Sequence, residues 1–104
     1  MFTGNEDHGI TFEAASTLTK RYRELNPTSI KGGFFGKAAI QTLLNQDGCV
    51  GIRIYLGLNK DEILKFVLVG VDEDENDLIG DDYNCMEYSI PCPNQCGSAD
   101  CLNS

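Results

Sequence analysis

The chain has 104 residues, 41% of them hydrophobic and 23% charged, which suits one folded domain with a modest core and excludes global disorder. Its formal net charge of −8 is unevenly placed: eight basic and seven acidic residues up to Lys65 leave +1, whereas 66–104 hold nine acids and no base, leaving −9. That field excludes a phosphate backbone as partner, and no run approaches the roughly 18 apolar residues of a membrane span, so neither nucleic acid nor membrane is expected.

Residues 1–10 are polar and are expected as a disordered lead-in. Thr11 is an N-cap residue for a helix running to about Leu25. Phe12, Ala15, Leu18, Tyr22 and Leu25 recur every three or four positions and make one apolar stripe, and Asn26-Pro27 ends the helix because proline disfavours helical geometry in the residue before it. A loop from Asn26 to Gly33 leads to a second helix expected from about Phe34 to Asn45, closed by Asp47-Gly48.

The period then changes to two. Val50, Ile52, Ile54 and Leu56 alternate with Gly51, Arg53, Tyr55 and Gly57, the pattern of a half-buried strand. A turn at Asn59, Lys60 and Asp61 precedes Ile63 to Val71, apolar on both faces except for Lys65, as expected of a strand inside a sheet. Its second neighbour is sought in Tyr83 to Ile90, where Met86, Tyr88 and Ile90 share a face. The expected fold is α+β: two N-terminal helices packed on one side of a small antiparallel sheet of about three strands. One domain spans 11–90, and Pro91 and Pro93 open an irregular, cysteine-bearing tail over 91–104.

Four of the five cysteines stand late in the chain, as Cys85-x6-Cys92-x3-Cys96-x4-Cys101. Structural zinc sites favour close pairs with two intervening residues, a knuckle that aims both thiolates at one ion. A redox-active dithiol also wants two residues between its cysteines, at a helix N-terminus. No gap here is two, so a disulfide-clipped or reduced tail is the leading expectation, with zinc as the alternative; four cysteines allow three pairings, which spacing does not choose among. The fifth, Cys49, is expected as a buried, inert thiol.

In the acidic run, Asp72, Asp74 and Asn76 match the first three ligand positions of an EF-hand calcium loop, and Ile79 matches its apolar eighth. The sixth position wants glycine and is Asp77, the twelfth wants glutamate and is Tyr83. A solvated turn is therefore expected, with weak calcium binding through Asp72, Asp74, Asn76 and Asp77 as the alternative. The run Lys31 to Ala38 looks superficially like a phosphate loop, but it has Lys31 where the first glycine belongs and Ala38 in place of the hydroxyl residue. A glycine hinge before two core-plugging phenylalanines is expected instead, with Lys31, Lys37 and the helix N-terminus as a place for an anion. The only histidine, His8, lies in the lead-in, which leaves a nucleophilic Ser or Cys without a positioned base. No catalytic residue is expected.

The segments Gly32 to Lys37 with Ala39-Ile40, Gly48 to Leu58, Leu68 to Asp72 with Asn76-Asp77, and Cys92-Pro93-x-x-Cys96 are together similar to a group of small uncharacterised bacterial proteins with a Cys-Pro-x-x-Cys tail. The similarity covers about residues 10 to 97 and carries no activity across. It implies that Cys92 and Cys96 form the central pair, with Cys85 and Cys101 less typical.

The functional expectation is a non-enzymatic structural or protein-interaction module that binds a protein partner or another copy through sheet edges and tail, with no cofactor. Two alternatives stand beside it: a metal-binding or redox-responsive protein using the tail cysteines, and an acidic decoy for a basic partner. Without a signal or spanning segment the expected location is cytoplasmic; disulfide-bonded cysteines would suit an extracellular one.

Overall fold

The computed structural model describes residues 1–103; Ser104, the end of the expected tail, lies outside the described residues. Two helices and five strands follow in the order α1 (Phe12–Leu25), β1 (Gly32–Phe34), α2 (Lys37–Leu44), β2 (Gly51–Leu58), β3 (Leu64–Val71), β4 (Cys85–Met86) and β5 (Ile90–Cys92). They form two small antiparallel sheets, β2-β3-β4 and β1-β5, so the class is α+β. No helix among the described residues is long and apolar enough to cross a membrane.

The chain divides into two units. The first joins Met1–Asp7 to Phe35–Ser89 and contains α2 and the three-stranded sheet. The second joins His8–Phe34 to 90–103 and contains α1, β1 and β5. The body expected over 11–90 is thus shared between two units, because β1 pairs with the chain's end rather than with the central hairpin.

In the first unit, β2 and β3 pair over their full lengths from Gly51↔Val71 to Leu58↔Leu64. Val50 also donates its N–H to Val71 O, so Val50 and Gly51 both oppose Val71 and the ladder ends in a bulge. Asn59 closes the other end, donating its N–H to Ile63 O while its side-chain oxygen accepts from the N–H groups of Asp61 and Ile63. The apolar core consists of Leu43 from α2, Leu68, Val69 and Val71 from β3, and Leu78. β3 is the central strand, as its two apolar faces require. Its partner on the far side is shorter than the sequence suggests: of Tyr83 to Ile90 only Cys85 and Met86 pair with it, and Ile90 belongs to β5. The first residues also join this unit, with Phe2 N–H donating to Glu73 O at 2.9 Å and the terminal ammonium 3.1 Å from Glu75.

In the second unit, Thr11 caps α1 as expected, its hydroxyl accepting from Ala14 N–H. No residue of α1 is buried, and Phe12 and Leu25 are 77% and 76% exposed. The half-covered face is instead small and polar. Ser16 donates to Cys101 O at 2.9 Å, and Arg23 to Leu102 O at 2.6 Å. The tail therefore satisfies hydrogen bonds along α1 rather than burying its apolar stripe. The expected second helix begins later than Phe34, at Lys37, because Gly32–Phe34 is taken into a strand opposite Ile90–Cys92. Phe34 is exposed and Phe35 half-buried, so neither phenylalanine plugs a core.

Candidate functional site

The β2 strand is the edge of its sheet: β3 pairs with one side, and no described strand pairs with the other. In an antiparallel ladder, successive residues send their N–H and C=O groups alternately toward one neighbour and away from it. Asn59 N–H reaches Ile63 O in the same register, which assigns Gly57, Tyr55 and Arg53 to β3. The backbone groups of Ile52, Ile54, Leu56 and Leu58 therefore point out of the sheet.

The side chains of those four residues share a face, opposite Gly70, Leu68, Phe66 and Leu64. At the Gly70 end this face is covered. A Cβ on Gly70 would stand 2.9 Å from Gln46 Nε2, 3.0 Å from Cys49 Sγ and 3.4 Å from Leu78 Cδ1, so only glycine fits without displacing them. Gln46 spans two segments there, its Nε2 donating to Leu43 O while its Oε1 accepts from Asn84 N–H. Toward the turn the cover ends. An eight-residue helix is about 12 Å long, whereas eight-residue strands reach about 26 Å, so α2 cannot shield the whole hairpin. Ile54, Leu56 and Leu58 are left 59%, 71% and 68% exposed. Natural edges are ordinarily blunted by charge, proline or brevity; β2 is long, has no proline and carries only Arg53.

On the opposite face, Arg53 and Tyr55 both reach Asp77. Arg53 Nη1 lies 2.5 Å from one carboxylate oxygen and the Tyr55 hydroxyl donates to the other at 2.5 Å. The Tyr55 side chain above all, and then Asp77, raise the affinity of the Arg53 guanidinium for its proton, against some desolvation. This anchor ties the end of the acidic run to the edge strand. Asp72 Oδ1 accepts from Asn76 N–H at 3.0 Å, its N–H donates to Asn76 O, and Glu75 N–H donates to Asp72 O. Of the four calcium candidates, Asp77 is engaged by Arg53 and Tyr55 and Asp72 by its own turn, while Asp74 and Asn76 are exposed. Among the described residues no three His, Cys, Asp or Glu side chains converge on a point that could hold a metal.

The sulfurs divide likewise. Cys92 and Cys96 form a disulfide across a Cα separation of 4.7 Å, so they have no thiolates to offer a metal. Around it, Gln95 N–H donates to Pro91 O and Lys31 N–H to Cys92 O, while Asn103 Nδ2 reaches Cys96 O at 3.0 Å. The clip and the last residues thus brace one another within the second unit. Cys85 and Cys101 are exposed free thiols, and Cys49 is a half-buried thiol donating to Gly51 O.

The segment resembling a phosphate loop is not built as one. Gly32–Phe34 is a strand, Lys31 Nζ donates to Asn103 O at 2.8 Å, and Lys37 belongs to the other unit. His8 also falls in the second unit. The residues that sequence reasoning missed are Ile54 and Leu56, which it places on the apolar side of a half-buried strand, and Leu58, which it does not place on the strand at all. The signal was present in the length of the hairpin, which exceeds what one short helix can cover. Comparison of the chain with family models, curated proteins and solved structures returned no match.

Proposed function

We propose that this protein is a non-enzymatic interaction module whose working surface is the open edge of β2, which takes up an extended strand from a protein partner. A single observation carries the reading: four outward-pointing backbone positions coincide with three strongly exposed aliphatic side chains on a strand without edge protection. Strand addition matches both features, since main-chain bonds supply affinity and alternate side chains supply selectivity. The disulfide-clipped tail has a supporting role in this reading, satisfying the polar face of α1.

The alternatives have less behind them. A decoy for a basic partner needs its acids free, but Asp77, Asp72 and Glu75 are engaged with Arg53, Asn76 and the N-terminus. A metal centre needs its thiols together as thiolates, and two are joined in a disulfide.

The test is an isotope-labelled titration of the dilute full-length chain with extended peptides of alternating apolar pattern, one of them the Gly51–Leu58 sequence. Chemical-shift changes and new amide protection are expected at Ile52, Ile54, Leu56 and Leu58 and are lost in Ile54→Pro, which removes an outward N–H that β3 does not use. Perturbations centred elsewhere, or none with any peptide, contradict the proposal.

A further inference from the structure

We infer that the strand β2 receives is β2 of a second copy, paired antiparallel about a two-fold axis that passes through Tyr55. This rests on the reading of β2 as a strand-accepting edge and names its occupant. Only four residues, Ile52, Ile54, Leu56 and Leu58, have outward backbone groups, because Val50 N–H is already bonded to Val71 O and ends the usable edge. A two-fold pairing is isologous, so each residue meets its counterpart from the same strand. One such register uses all four positions and no others, setting Ile52 against Leu58 and Ile54 against Leu56, with Tyr55 against itself. It closes about eight backbone hydrogen bonds, two for each pair of facing residues.

The side chains agree with that register on both faces. On one face every cross-strand pair is aliphatic, so each facing pair buries apolar surface against apolar surface. The aliphatic stripe of each copy continues into the other, shielding flanks that the isolated hairpin leaves in water. On the other face the only charge of the strand, Arg53, stands opposite Gly57, so like charges never meet across the junction. The first unit carries thirteen acids and four bases, a net of −9, yet Asp77, the acid that Tyr55 on the axis contacts, is paired with its own Arg53. A second copy therefore meets a strand whose own charge is paired, so the junction itself adds no like-charge contact. Moving the axis by one residue to Ile54 would call on Val50, whose donor is taken; moving it to Leu56 would leave Ile52 facing the turn at Lys60.

The test combines light scattering of the full chain over a wide concentration range with cysteine cross-linking, Cys49, Cys85 and Cys101 being replaced by serine and the Cys92–Cys96 bond kept. The chain is expected at twice its 11.4 kDa mass at high concentration, and Ile54→Pro and, independently, Leu56→Lys at the single mass with an unchanged far-UV spectrum. Tyr55→Cys is expected to form a self-disulfide at least tenfold faster than Ile54→Cys or Leu56→Cys, since residues on the axis in a non-hydrogen-bonded pair approach most closely. A dimer cross-linking preferentially through position 54 or 56 overturns the register. A chain that stays at single mass while the edge amides still gain protection from peptides overturns the second copy and leaves the strand-accepting edge standing. Absence of both results defeats the edge itself.

Discussion

Gly70 shows how closely single residues set the working surface. Its position beneath Gln46 Nε2, Cys49 Sγ and Leu78 Cδ1 lets the end of α2 sit down on the sheet. Gly70→Ala is expected to destabilise the chain by about 1–3 kcal/mol, because overpacking displaces side chains and backbone; denaturant unfolding measures it, and a neutral result would mean the Gln46 clasp gives way freely. Glu6 is a second such residue. Above all the backbone N–H of Thr3, with further help from that of Gly4, holds its carboxyl below the ordinary value of 4.5. A depressed carboxylate contributes stability that is fully present above its ordinary value and is lost as pH falls through the folded value. A carboxyl-detected NMR titration is therefore expected to place the Glu6 midpoint below 4.5, moving the Thr3 and Gly4 amide signals with it; a midpoint at or above that value would mean the loop 3–6 does not hold.

At the scale of elements, the disulfide has a predictable weight. Cys92 and Cys96 close a five-residue loop, for which chain entropy in the unfolded state gives about 2 kcal/mol. Cys92→Ser with Cys96→Ser is expected to lower unfolding stability by about that amount, and reductant is expected to erase the difference from the parent chain. Elements with internal signals were legible in the sequence. The cap at Thr11 and the end at Asn26 bound α1, and the alternation of β2 and the doubly apolar β3 mark the hairpin. The rest is written in pairing rather than period: β1, β4 and β5 have two or three residues each, too few for any repeat, and strand formation at that length follows its neighbour. The stripe on α1 was legible as a pattern, but pattern does not say whether a partner covers it. The candidate edge was half legible for the same reason: alternation identified the face of Ile54 and Leu56, whereas its exposure depends on how far α2 extends.

For the whole molecule, charge and association oppose each other. Each copy carries −8, so pairing two of them concentrates like charge even when the junction itself is neutral. Screening by salt weakens that repulsion. Self-association is expected to strengthen from about 20 mM to about 300 mM salt, across which the screening length falls severalfold; association that weakens instead would assign it to attraction between opposite charges, with the acidic run as its surface. The most direct measurement of the central claim, that β2 is an open strand-accepting edge, is residue-resolved amide exchange on the dilute chain. Arg53, Tyr55 and Gly57 are expected to exchange slowly and Ile52, Ile54, Leu56 and Leu58 quickly, the second set slowing as concentration rises. Equal and strong protection of all seven in the dilute chain would mean that the edge is already covered and would contradict the account.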